Sequence, residues 1–291
     1  MANTYDGSID TTIGSDAEYQ AWIQTFEAAF LASGFLEVAP DTGQINPLTV
    51  VKPASNTWSG YRMYRAKDAL AASKPVYVKV EFGTSGNSTT AISIRRQVGT
   101  GSNGAGTLTG QVNSLQTLHP NAMVGPGTIW GGGGPSAAFV LLLDPGGVSG
   151  NFFYGVGRMR DSADGSASPE VLWDIWQSGS GFVIGNSMVW TDGSSAWASI
   201  SLGLASMGPD LGQGIHSGGS VSVSKLFPSM VYKAGKLLVM PMVYGKAAEL
   251  SYTTVADSKF MLNVWGGNHT FLPLTPSGVT SGVSRTCWLW E

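Results

Sequence analysis

The side chains able to do acid–base or metal chemistry are few and far apart. His119, His216 and His269 are the three histidines, and Cys287 is the single cysteine. A zinc site needs clustered His and Cys ligands at short spacings, and a hydrolytic triad needs a nucleophile, a base and an orienting acid. Neither H-E-x-x-H nor G-x-S-x-G occurs, and all three histidines fall in stretches expected to be loops. One cysteine makes no disulfide within the chain. Asp161-Ser162-Ala163-Asp164-Gly165 has the flavour of a calcium loop but lacks the alternating ligands and the closing Glu, so an ordinary hairpin loop is expected. Glu170 and Asp174 would share one face of a strand, where a solvated pair is expected; a catalytic pair needs a set separation across a cleft. Gly99-Thr100-Gly101-Ser102-Asn103-Gly104 matches G-x-G-x-x-G, yet pyrophosphate binding requires a helix to begin there. More Gly and Thr follow instead, and a flexible loop is expected. These residues predict no catalytic, cofactor-binding or metal-binding site, no cofactor and no enzyme.

Aromatic residues offer a different chemistry. Of ten tryptophans, Trp173, Trp176, Trp190, Trp197, Trp265, Trp288 and Trp290 lie in the C-terminal half. Large rings pack cores, anchor protein interfaces and stack on sugars. Alternation puts Trp173 and Trp176 on opposite faces of a strand, so one of them is expected at solvent or an interface. Trp288 and Trp290 share one side of a C-terminal strand, with an ordered chain end expected. Trp22 and Phe26 belong to an aromatic helix face that either covers a sheet or docks onto a neighbouring subunit. The candidate interface residues are therefore Trp22, Phe26, Trp176, Trp288 and Trp290.

The elements that must position these groups are mostly strands. Residues 74–110 alternate on both sides of a Gly/Ser/Asn tip. Val76, Val78, Val80 and Phe82 point one way, Tyr77, Lys79 and Glu81 the other, and Ile92, Ile94 and Val98 repeat the pattern. A hairpin with one buried face is expected. One helix precedes it. Ser15 and Glu18 form a capping box, Tyr19, Trp22, Ile23, Phe26 and Phe30 recur at helical spacing, and Gly34 ends it. Residues 1–14 suggest a lead-in with a short strand, 48–51 a short strand and 60–65 a better one. Residues 119–136 read as loop ending in Gly131-Gly132-Gly133-Gly134-Pro135, either a linker or a crossover. Residues 137–143 read as a fully buried strand, with further strands at 151–159, 170–177, 181–190, 236–244 and 259–265. Pro241 argues for an edge or a bulge. Residues 191–224 read as an elaborated Gly/Ser-rich loop.

Composition narrows the class. Only 12% of the 291 residues are charged and 43% are hydrophobic, with 40 glycines and net charge −3. Periodic apolar strands exclude wholesale disorder, and no basic stripe points to nucleic acid. No apolar run reaches the ~20 residues of a membrane span, and the first residues lack the pattern of a signal peptide. A low-charge, aromatic-rich surface favours an assembly subunit.

The succession 41–46 (Asp-Thr-Gly-Gln-Ile-Asn), 60–65 (Gly-Tyr-Arg-Met-Tyr-Arg), 75–83 (Pro-Val-Tyr-Val-Lys-Val-Glu-Phe-Gly) and 98–106 (Val-Gly-Thr-Gly-Ser-Asn-Gly-Ala-Gly) resembles structural proteins of tailed bacteriophages, those of the tail, baseplate or neck. The resemblance spans about residues 4–115. It implies a virion part made in the host cytoplasm, whose partners are other copies of itself and other virion proteins, with no nucleic acid or membrane partner. It carries no functional residues over. The alternatives are a module that binds a host surface glycan and a capsid-associated decoration protein. The expected fold is mainly β: an antiparallel β-sandwich with one N-terminal amphipathic helix and long Gly-rich loops. Residues 1–34 would form the lead-in and helix, and 35–291 the sandwich domain, or two domains split near 131–135.

Overall fold

The computed structural model describes residues 4–10, 12–84, 91–111, 115–119, 126–143, 152–178, 184–190, 226–233, 236–246, 260–264, 267–273 and 286–289. Strand β1 (Tyr5–Asp10) leads into helix α1 (Asp16–Leu31). Ser15 caps the helix in extended conformation (φ −134°, ψ 168°). Its hydroxyl accepts from the Glu18 N–H at 3.3 Å, while the Glu18 carboxylate accepts from the N–H groups of Ser15 at 2.8 Å and Gly14 at 2.7 Å. Two orphan donors are thereby satisfied. The Ser15 hydroxyl and these N–H groups hold the Glu18 carboxyl below its ordinary pKa. Beyond the helix, Gly34 takes the left-handed conformation at φ +74° that ends it.

A six-stranded sheet follows: β2 (Leu36–Val38), β3 (Trp58–Ala66), β4 (Tyr77–Thr84), β5 (Ile92–Ser102), β6 (Leu108–Gln111) and β7 (Gln116–His119). Strands β2 to β6 pair in that order, and β7 also pairs with β5. The expected hairpin is β4–β5, in register Val80↔Arg96 and Phe82↔Ile94. The remaining strands are β8 (Pro126–Gly134), β9 (Ala137–Leu143), β10 (Phe152–Asp161), β11 (Ala167–Ser178), β12 (Ile184–Trp190), β13 (Leu226–Lys233), β14 (Lys236–Lys246), β15 (Phe260–Val264), β16 (Gly267–Pro273) and β17 (Thr286–Leu289). With β1 they make an eleven-stranded sheet whose main path is β1-β8-β9-β10-β14-β17-β16-β15. The pairings among the described strands are all antiparallel. Among the described residues, two antiparallel sheets with one helix make the expected mainly β, sandwich-like fold.

The core joins all three pieces. Phe26 meets Phe82 of β4 edge-on at 5.6 Å, and Phe30 lies 5.4 Å from both Tyr64 of β3 and Tyr154 of β10. One buried cluster includes Trp22, Phe26, Val80, Ile94, Ile129, Val140 and Leu172, so it draws on chain before and after residues 131–135. Strand β9 is buried on both faces from Ala137 to Leu142, as its unbroken apolar run requires.

Four local expectations need correction. Residues 131–134 are not loop but the end of β8, paired on one side with β9 and at Gly131 with Tyr5 of β1. Residues 99–110 are not a flexible loop but the end of β5, a tight turn and β6. Residues 48–51 form no strand; Asn46 instead closes a turn, its carbonyl accepting from the N–H groups of Thr49 at 3.1 Å and Val50 at 2.9 Å. His119 and His269 lie in strands β7 and β16 rather than loops. Pro241 falls in β14 where the pairing with β13 shifts register, between Met230↔Val239 and Pro228↔Tyr244. The expected loop at 191–224 lies outside the described residues.

Candidate functional site

The candidate interface residues separate by location. Trp22 and Phe26 are 1% and 0% exposed, stacked on each other at 5.5 Å inside the core. The helix face covers the sheets and leaves these rings no surface for a partner. Trp176 sits on β11 between Tyr154 of β10 and Gly185 of β12. Trp288 sits on β17 between Val243 of β14 and Leu272 of β16, so residues 286–289 form a strand paired on both sides. Trp290 lies outside the described residues, as do Trp197 and His216. Among tryptophans of described burial, Trp22, Trp130 and Trp173 are buried and only Trp58 reaches partway to the surface.

The acidic loops are ordinary. Asp161 and Asp164 turn their oxygens onto their own backbone, accepting from Ala163 at 2.9 Å and Ser166 at 2.8 Å. In the G-x-G-x-x-G stretch, Asn103 Oδ1 accepts from the N–H groups of Ala105 at 2.8 Å and Thr107 at 3.0 Å. Asp41 accepts from the Gly106 N–H at 3.3 Å and from the Ser102 hydroxyl. A phosphate here would meet a carboxylate and donors already engaged, which is the reverse of an anion nest. Among the described residues no three His, Cys, Asp or Glu side chains gather to hold a metal ion, and no helix is long and apolar enough to cross a membrane.

Charged side chains instead tie elements together. Asp174 is not solvated: its carboxylate meets Arg96 Nη1 at 2.7 Å, both groups fully buried, so β11 of one sheet is joined to β5 of the other. Arg158 of β10 forks onto Asp68, Nε to Oδ2 at 2.5 Å and Nη2 to Oδ1 at 3.1 Å, and donates to the Lys74 carbonyl at 2.6 Å. Desolvation offsets much of the attraction in such pairs, so they add little net stability, although removing one partner would leave a buried charge uncompensated. Tyr154 lies beside the first pair, with the Arg96 guanidinium 5.5 Å from its ring. Burial, then the Asp174 charge, pushes its hydroxyl pKa well up, with Arg96 opposing. Sequence reasoning missed both pairs. The one available signal is Arg96 itself, which occupies the inward position between Ile94 and Val98.

On the outer face of the smaller sheet, Glu81 joins Arg95 at 2.5 Å and Lys79 at 2.9 Å. Arg95 also lies 4.0 Å over the Trp58 ring, and Lys79 4.9 Å from Tyr61. These rings already have cations on them. The face is a connected aromatic and charged lattice. Compared with the models of known protein families and with curated proteins, the chain matches none.

Proposed function

We propose that the chain is a structural subunit of a bacteriophage virion, in the tail, baseplate or neck, acting by self-assembly and docking to other virion proteins. One observation carries the reading: the four segments that resemble tailed-phage structural proteins come together as one module. Segments 60–65, 75–83 and 98–106 lie on the neighbouring strands β3, β4 and β5 and the turn after β5. Segment 41–46 is bonded across them. Ile45 N–H donates to the Tyr61 carbonyl at 3.1 Å, Met63 N–H to Gln44 Oε1 at 2.8 Å, and Thr42 N–H to the Gly104 carbonyl at 2.9 Å. A pattern kept as a packed unit is what a scaffold needs, and the reading assigns the unit no catalytic role.

The test is assembly state and location. Light scattering and negative-stain electron microscopy of the purified full chain are expected to show a symmetric oligomer, and mass spectrometry of purified particles should find the chain at high copy. A persistent monomer that is absent from particles overturns the proposal. A monomer that binds a host-surface glycan favours the glycan-binding module instead.

A further inference from the structure

Helix α1 has three sides, and only one faces the core. Tyr19, Trp22, Ile23, Phe26, Ala29 and Phe30 are buried. The second side carries Asp16, Gln20, Gln24 and Glu27, spaced by four, four and three residues, and it holds a strap of chain, residues 45–52. Asp16 Oδ1 accepts from the Lys52 N–H at 2.8 Å, and Gln20 Nε2 donates to the Val50 carbonyl at 2.9 Å. Gln24 Nε2 donates to the Pro47 carbonyl at 3.3 Å. Arg62, paired with Glu27 at 2.6 Å, donates to the Ile45 carbonyl at 3.3 Å. The strap therefore runs antiparallel to the helix and is fixed by its backbone. Ile45 and Val50 pack inward, while Leu48 and Val51 stand outward at 67% and 66% exposure, the large exposed hydrophobic side chains among the described residues. The third side, next to the strap around the helix, carries the exposed Ala17, Ala21 and Ala28.

We infer that this surface, an aliphatic ridge (Leu48, Val51) beside an alanine flat (Ala17, Ala21, Ala28), is a docking face for a second copy of this chain about a two-fold axis. The inference rests on the self-association reading above. Two large aliphatic side chains held in water by a pinned backbone are unfavourable until covered, and a pinned loop loses little freedom on binding. The partner is a second copy because ridge and flat lie side by side on one surface. A two-fold axis seats the ridge of each copy on the flat of the other, the reciprocity an isologous interface demands. Charge agrees, since Lys52 ends the strap and the exposed Glu18 lies at the helix start, so each lysine can meet the other copy's carboxylate.

Sedimentation equilibrium of the full chain tests this, with Leu48→Asp/Val51→Asp and Ala21→Arg as variants. Arginine keeps high helix propensity, so Ala21→Arg should preserve the fold even where the double variant does not. The wild type is expected to dimerise, or to form larger species built from dimers. Each variant should weaken that association by more than about tenfold, with the far-UV circular dichroism spectrum unchanged for Ala21→Arg. Mixing the two variants should restore a heterodimer, because the introduced carboxylates then face the introduced guanidinium. An oligomer indifferent to both variants overturns the docking face while leaving the assembly reading standing. A wild-type monomer at all concentrations, absent from particles, removes both.

Discussion

Residues 99–110 and 131–134 are both glycine-rich and both adjoin apolar strands, yet one turns the chain back and the other keeps it in a strand. In the first, Gly104 and Gly106 take positive φ, +77° and +82°, so that β5 can turn back as β6. Gly106 also lies under the Tyr61 ring, where a side chain would collide. In the second, the backbone stays in a strand paired with β9 throughout and with β1 at Gly131, and glycine there is needed for what lies above it. A Cβ on Gly131 would land in the carbonyl of Ala29, so helix and sheet meet backbone to backbone. The first run turns at Gly104 and Gly106, while the second needs close approach at Gly131 and a positive φ, +133°, at Gly133. The difference lies in the neighbours, not in the composition.

The comparison can be broken at its strongest point first. Gly131→Ala should destabilise the protein at or beyond the upper end of the ~1–3 kcal/mol that overpacking costs, because the obstacle is helix backbone. Urea unfolding followed by tryptophan fluorescence reads this, and a loss below about 1 kcal/mol would mean the helix does not rest there. Gly106→Ala comes next, at about 2 kcal/mol from backbone strain and the Tyr61 ring together; pairing it with Tyr61→Ala should return part of the loss. Asn103→Ala removes two turn bonds and should cost about 1 kcal/mol, seen as a lower melting temperature. Gly104 has open space around its Cβ position, so Gly104→Asn should change stability by less than about 0.5 kcal/mol, since Asn tolerates the left-handed region. Equal losses at Gly104 and Gly131 would erase the distinction.

The same contrast explains what could be read in advance. The first run ends the alternating pattern of β5, so a change of direction there is visible even where its rigidity is not. The second carries no side chains, so it has no period to read, and β8 passed for a linker. Arg96 was hidden for a related reason. A charge at an inward position breaks the apolar alternation, and its partner Asp174 lies 78 positions further on. Trp22 and Phe26 were legible as one helix face, but whether that face met a sheet or another subunit was not. The strap was missed altogether, because an Asp/Gln/Glu stripe on a helix reads as a solvated side.

By itself, the amino-acid order determined the helix, its capping box and its aromatic face, the β4–β5 hairpin and the buried run of β9. These depend on bonds and periodicities within a few residues, where geometry follows directly from residue type. Tertiary structure alone decided that Gly131 carries the Ala29 backbone, that Arg96 and Asp174 join the two sheets, and that Asp16, Gln20 and Gln24 hold a strap instead of water. Those bonds link positions 23 to 36 residues apart in the strap and further in the core. At such separations the partner is set by how whole elements pack, and no local pattern encodes it.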